Sequence, residues 1–225
     1  MVILAATEET ALADQLAEKL IKENKKVKSV WLAVGQNLRH IAGEKHIAEF
    51  LGDLKFNIWP QTFFQTNTRM ALALYQKVRD FFPVKVGPAL GLYCGSGALE
   101  VFCAPACRTI VGIDSDSANV ANAQENARLN NLTNCAFLRA HAEAIPLNAV
   151  DLIMVDPPRQ GLSPRALENL KKISASTLIY VSCEPASLSR DLKILCAHGY
   201  RLSRLAMVDM FPQTGHLEAV ALLEK

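Results

Sequence analysis

With 225 residues, 50% of them hydrophobic and 20% charged, the chain can bury a substantial core, which excludes global disorder and fits one large domain or one domain with an appendage. Its formal net charge of +2, from 24 Lys and Arg against 22 Asp and Glu, announces no polyanion partner for the chain as a whole, so nucleic-acid contact would need a local patch. The opening MVILAATEET has too short an apolar run for a secretory leader, so the six cysteines read as reduced thiols of a cytoplasmic protein, and no apolar stretch approaches the roughly 18 residues of a membrane helix.

Residues 1–58 read as a first α+β unit, too small to stand convincingly as an independent domain. Val2–Ala6 is strand-like, Leu12, Leu16, Leu20 and Ile21 recur at helical spacing, and Val30–Val34, Leu38–Ile41 and Leu54–Ile58 look like short strands. The segment Trp59–Asn67 (WPQTFFQTN) then leads into a helix through Tyr75 and Val78 that ends before Pro83. From Ala89 onward strand-like runs (Ala89–Tyr93, Thr109–Ile113, Cys135–Leu138, Leu152–Val155, Leu178–Val181) alternate with helical patterns over Ser117–Asn130, Pro164–Ile173 and Ala186–His198. Such alternation predicts a doubly wound, mostly parallel α/β sheet with helices on both faces. The final runs, Leu202–Val208 and Leu217–Leu223, have no helix between them and predict an antiparallel hairpin at one edge.

In such sheets ligands sit beyond the carboxyl ends of the strands, where glycine turns bring backbone close to them. ALGLYCGSGALE places Gly95 and Gly97 in such a turn, and the next strand ends in Asp114, which can either accept from ribose hydroxyls or cap the following helix. The turn lacks the third glycine of a dinucleotide fingerprint, so a nucleoside without a pyrophosphate fits better. Asp156-Pro157-Pro158-Arg159 follows the next apolar strand, a carboxylate and two stiff prolines that are either a ligand wall or an ordinary turn. Cys183, at the end of IYVSCEP, is either a nucleophile or a structural thiol, and Glu218 begins the last strand near the same edge. Cys94, Cys103 and Cys107 lack zinc-site spacing and read as buried thiols, with no metal expected.

Taken together, FFQTN, LYCGSG, VGID, DPPRQG, YVSCEP with the following Arg190-Asp191, and DMFPQTGHLE occur in an order, from Leu54 to Lys225, that resembles the RNA uracil-5-methyltransferase family, which makes 5-methyluridine in tRNA and bacterial 23S rRNA. The resemblance implies a Rossmann-like class I S-adenosylmethionine-dependent methyltransferase domain over residues 59–225, with residues 1–58 as a partial, RNA-facing central appendage. It implies Cys183 as the nucleophile that adds to carbon 6 of uracil and Glu218 as the base that removes the carbon 5 proton. Gln65, Tyr93, Gly95, Gly97, Asp114 and Asp156 would serve the cofactor, and Asp156 and Arg159 the RNA base. Phe63, Phe64 and Phe211 are candidates to stack on a flipped base or to pack in the core, and Arg165 and Arg190 are candidate RNA cations or ordinary solvated charges. His141 falls where the family commonly has a polar residue near the adenine or else in a surface loop, and His216, in the HLE motif, reads as structural or positioning instead of a base. LAMVDMFPQTGHLE resembles the ribosomal-RNA branch more than the tRNA branch.

The sequence departs from the family's pattern at three points. Gly91 stands where Asp is usual and Ala98 where a polar residue is common, both expected to weaken cofactor binding; Glu184 stands where Asn is usual and is expected to raise the pKa of Cys183. Family members also carry an N-terminal RNA-binding barrel, so an RNA-binding domain missing from this chain is a further expectation.

Overall fold

A computed structural model describes residues 1–145, 149–215 and 217–225. Thr10 caps a helix α1 (Ala11–Glu23) by accepting from the Leu12 N–H. That helix links two parallel strands, β1 (Val2–Ala6) and β2 (Ser29–Val34), and β3 (Asn37–Gly43) returns antiparallel to β2. A second hairpin, β4 (Ile47–Leu51) and β5 (Leu54–Ile58), turns at Gly52. Its first strand is not apparent from the sequence, where Ala48, Glu49 and Phe50 break the apolar pattern. Leu51 and Phe56 are fully buried in the same core as α2 (Thr68–Asp80), so this hairpin packs on the larger layer that follows.

Among the described residues, the larger sheet has seven strands. In chain order they are β6 (Val86–Leu92), β7 (Cys107–Asp114), β8 (Cys135–Arg139), β9 (Leu152–Val155), β10 (Thr177–Ser182), β11 (Arg201–Asp209) and β12 (Leu217–Glu224); in space they lie as β11-β12-β10-β9-β6-β7-β8. The run from β8 to β10 is parallel, and every residue of β9 and β10 is buried, as expected of strands covered on both faces. Helices α2, α3 (Ala98–Cys103) and α4 (Ser117–Leu129) cover one face through Leu74, Val101 and Ala123. Helices α5 (Pro164–Lys172) and α6 (Pro185–Cys196) cover the other through Leu167, Leu170 and Leu188. This is the expected doubly wound α/β fold.

The terminal hairpin is present, but its strands are ordered so that β11 forms the edge and β12 runs antiparallel between β11 and β10. Helix α3 is likewise not apparent from the sequence. All six of its residues are buried, so ALEVFC carries no amphipathic period to distinguish it from a buried strand. Strand order reverses between β6 and β9, and the crevice at that reversal is where such sheets bind ligands. Among the described residues, no helix is long and apolar enough to cross a membrane.

Candidate active site

A cavity of about 550 Å³ opens at this reversal. Its floor is the turn after β6. There the Cys94 N–H donates to the Ile113 carbonyl and the Gly97 N–H to the Cys94 carbonyl, closing the loop in the space of a few residues. Gly95 and Gly97 both take left-handed backbone, φ 52° and 76°. Gly97 does not line the cavity; it sits beneath the turn, where a Cβ would come within 2.7 Å of both the Ala123 Cβ and the Phe137 ring. Tyr93, which lines the cavity, has φ 62° without being glycine, a strained geometry of the kind that collects at ligand sites.

Asp114, at the end of β7, reaches back to this turn. Its Oδ2 accepts from the Gly95 N–H at 2.9 Å and its Oδ1 from the Asp116 N–H at 2.9 Å. It is not the helix cap, because Asp116 caps α4 by accepting from the Ala118 N–H at 2.7 Å. Gln65 lines the opposite wall and is buried. Its segment is tied down on both sides: the Thr62 hydroxyl donates to Asn122 Oδ1 at 2.8 Å, and Asn67 Nδ2 donates to the Met210 carbonyl at 2.8 Å while capping α2 through Met70 N–H. All three phenylalanines line the cavity: Phe64 is buried and packs on Phe56 with ring centroids 5.6 Å apart, whereas Phe63 and Phe211 are exposed.

Asp156, Pro157, Pro158 and Arg159 form a third wall after β9. Their loop is held from below by Asp191 on α6, fully buried, which accepts from the Leu162 N–H at 2.8 Å and from the Tyr180 hydroxyl at 2.7 Å. Arg190 joins the same clamp, pairing with Asp191 at 2.7 Å and donating to the Gln160 and Leu162 carbonyls. It therefore braces the loop instead of presenting a free cation to RNA. Arg165 and His141 are exposed and do not line the cavity, and His216 lies outside the described residues.

The antiparallel insertion of β12 brings the last two groups together. Ser182 pairs with Ala219, so the next residues outward, Cys183 and Glu218, meet at the cavity, and both line it. Burial pushes Glu218 up to about 7 against the opposing pull of the Arg159 cation, and its Oε2 has no hydrogen-bond partner among the described residues. Asp156 is likewise raised, by burial and then by the Glu218 carboxylate. Burial also raises the Cys183 thiol; Glu218 and Asp156 add to the rise, and Arg159 opposes it. Glu184 is not the source of that rise. Its carboxylate turns away to cap α6, accepting from the Ala186 N–H at 3.2 Å.

Among further cavity residues that no sequence motif singles out, two are titratable. Tyr75 on α2 is buried beside Asp156 and Glu100, and Glu100 itself, 1% exposed in the first turn of α3, has an Oε2 without a hydrogen-bond partner among the described residues. A single charge within the apolar run ALEVFC, directly after the glycine turn, was the available signal for Glu100. Cys94, Cys103 and Cys107 are buried, and no group of described residues could hold a metal ion.

One site thus gathers a turn built for close backbone approach, a strand-end carboxylate, a thiol, a near-neutral base and a cation. The model of the family described as tRNA (Uracil-5-)-methyltransferase matches residues 7–225. Uncharacterized RNA methyltransferases of Chlorobaculum tepidum and Gloeobacter violaceus are 39% identical over 208 residues and 42% identical over 193, covering 86% and 85% of this chain but 42% of each relative. The chain therefore spans about four-tenths of the length of the curated relatives it matches. The crystal structure of Pyrococcus abyssi tRNA (uracil-54, C5)-methyltransferase in complex with S-adenosyl-L-homocysteine superposes with a TM-score of 0.78 at 31% identity, over 87% of this chain and 50% of that one. Trm5b from the same organism, at 15% identity and a TM-score of 0.66, shares the fold over 99% of this chain and 72% of its own. Sequence, fold and cavity agree, and the chain belongs to the tRNA (uracil-5-)-methyltransferase family.

Proposed function

We propose that this chain transfers a methyl group from S-adenosylmethionine to carbon 5 of a uridine in RNA, with residues 59–225 as the catalytic domain and residues 1–58 as a partial RNA-facing unit. The observation that carries the reading is the meeting of Cys183 and Glu218 in the lining of a cavity that the glycine turn and Asp114 also line. The cavity suits the cofactor: about 550 Å³ is ample for a nucleoside beside a base, Asp114 stands at the turn for ribose hydroxyls, and buried carboxylate oxygens of Glu100 and Glu218 await partners. The solved Pyrococcus abyssi relative is described with S-adenosyl-L-homocysteine bound, which supports the same choice.

Bound S-adenosylmethionine supplies an electrophilic methyl group. Uracil carbon 5 is too weak a nucleophile to take it unaided, and the residues of the site address that weakness. The Cys183 thiolate adds to carbon 6, and the electron pair displaced from the 5,6 double bond makes carbon 5 enolate-like, able to take the methyl group as its bond to the cofactor sulfur breaks and S-adenosylhomocysteine is left behind. Glu218 then removes the proton from carbon 5, the 5,6 double bond reforms, and the sulfur leaves carbon 6 as thiolate. Arg159, which opposes the rise in both pKa values, favours the ionised forms that each role needs. Gln65 and Tyr93 would hold the cofactor, and Asp156 would lie between cofactor and base; Phe63 and Phe211 offer faces on which a flipped base can stack.

Incubation with S-adenosylmethionine and RNA containing 5-fluorouridine tests this directly. Fluorine blocks the last proton removal, so mass spectrometry should find a methylated protein–RNA adduct in the wild type and none with Cys183→Ala. Intact cofactor binding without an adduct on any RNA would instead mark a binding-only protein. The LAMVDMFPQTGHLE segment favours 23S ribosomal RNA over tRNA as substrate, and a parallel assay on both RNAs decides between them.

A further inference from the structure

The reaction outlined above leaves one buried carboxylate without a task. Glu100 is 1% exposed, lines the cavity and has an Oε2 with no hydrogen-bond partner among the described residues. A buried carboxylate is costly unless a cation or a proton meets it. Among the described residues, the groups facing it are Tyr75 on α2, Cys94 in the turn, Asp114 after β7, Cys135 on β8 and Asp156 after β9, with Cys103 on its own helix; none of these is cationic.

The space Glu100 occupies exists because residue 91 has no side chain. A Cβ on Gly91 would stand 2.8 Å from the Glu100 Cδ and Cγ and closer still to Oε1. The absence of Asp at position 91 is thus matched by a carboxylate delivered to the same place from α3. A ribose hydroxyl could satisfy the hydrogen bond but not the charge, and Asp114 already stands by the turn for that purpose. A sulfonium carries charge but has no proton to donate. An ammonium supplies both charge and three donors.

We propose that Glu100 is the counter-ion for the α-ammonium at the amino-acid end of the bound cofactor, a role that Gly91 permits by leaving its space open. This rests on the cofactor reading given above. Desolvation holds the Glu100 carboxyl up at about 8 against the opposing pull of a hydrogen bond from its own backbone N–H, with Asp156 and Asp114 adding to the rise, so near neutrality it carries a proton until the cation arrives. Cation binding favours the ionised carboxylate, so binding releases that proton and affinity climbs as pH rises toward about 8.

Isothermal titration calorimetry of the full 225-residue chain tests the assignment, using S-adenosylhomocysteine and 5′-methylthioadenosine, which keeps the nucleoside but lacks the amino-acid end. Glu100→Gln should weaken S-adenosylhomocysteine by about 10- to 100-fold and leave methylthioadenosine within about twofold. It should also abolish the dependence of binding enthalpy on buffer ionisation at about pH 7. Gly91→Ala, whose methyl group displaces the carboxylate, should reproduce the selective loss. Equal affinity of wild type and Glu100→Gln for S-adenosylhomocysteine overturns the proposal while leaving the cofactor reading intact. Parallel loss of both ligands in a variant that melts like the wild type overturns it as well, since it marks a role in shaping the turn. Unaltered binding by Gly91→Ala overturns the part given to Gly91, and a wild type that binds neither ligand overturns both readings.

Discussion

A thiol that is to add to a ring carbon reacts as the thiolate, yet burial and the carboxylates of Glu218 and Asp156 hold Cys183 above its ordinary pKa. Arg159 and, more weakly, a backbone hydrogen bond to the thiol act in the other direction. Glu218, at about 7, gains its basic form through neutrality, while the thiolate fraction of Cys183 continues to grow above it. Activity should therefore rise with pH from about 6 to about 9 without a plateau near neutrality, measured as kcat/KM on a uridine-containing RNA. Arg159→Ala removes an influence that lowers both pKa values, so it should move this profile to higher pH. Glu218→Gln leaves the thiol, the cofactor walls and the first bond-forming steps in place but takes away the proton acceptor. On ordinary uridine it should accumulate a methylated covalent adduct that survives denaturation, visible as an RNA-linked protein band; rapid turnover by this variant would assign the proton to another base.

At the level of elements, the site depends on a row of asparagines along α4. Asn122 and Asn126 within the helix and Asn130 at its C-cap recur every fourth residue and so lie along one side of it. Asn122 donates to the Asn57 carbonyl at 2.8 Å; Asn126 accepts from the Asn57 N–H at 2.9 Å and donates to the Ser96 carbonyl at 3.0 Å; Asn130 accepts from Lys55 N–H and donates to its carbonyl. The side chains act on β5 as a neighbouring strand would, and Asn126 ties that strand to the glycine turn. Asn126→Ala would leave the Asn57 N–H and the Ser96 carbonyl without these partners in a buried setting, and should cost about 2–4 kcal/mol in urea unfolding. The helix over Ser117–Asn130 is legible in the sequence, but this role is not, because a polar face on a helix ordinarily means solvent. The unexpected α3 and β4 have related causes: one is buried on every side and the other breaks the apolar alternation, so neither carries a clean period. Gly91 and Glu184 likewise look like losses until packing is known, for the first makes room for Glu100 and the second spends its carboxylate on a helix cap.

Across the whole molecule, the alternation of strand and helix is enough to foresee a doubly wound sheet, and the ordered motifs identify which strand ends carry the chemistry. Strand order is less accessible, because hydrophobic periodicity states that a strand is buried but not beside which strand it lies. The position of β12 shows the difference: its apolar run fits an edge hairpin or an inner strand equally well, and only pairing with β10 carries Glu218 to Cys183. The N-terminal sheet β1-β2-β3 is separate from the seven-stranded one, while the β4–β5 hairpin joins the larger core through Leu51 and Phe56.

That inner position also dictates an order of assembly. Strands β6, β7 and β8 follow one another in the chain and pair side by side, joined by α3 and α4, so their closure costs little loop entropy. Strand β12 has to enter between β10 and β11, across connections that include α6. The half of the cleft that would receive a nucleoside should therefore form before the half that holds the thiol and its base. Pulse-labelled hydrogen exchange during refolding should find amides of β6, β7 and β8 protected in an earlier phase than those of β10 and β12, with one common phase counting against this order. A folding intermediate of this protein would then have a nucleoside pocket in place while its nucleophile still lay open to alkylation.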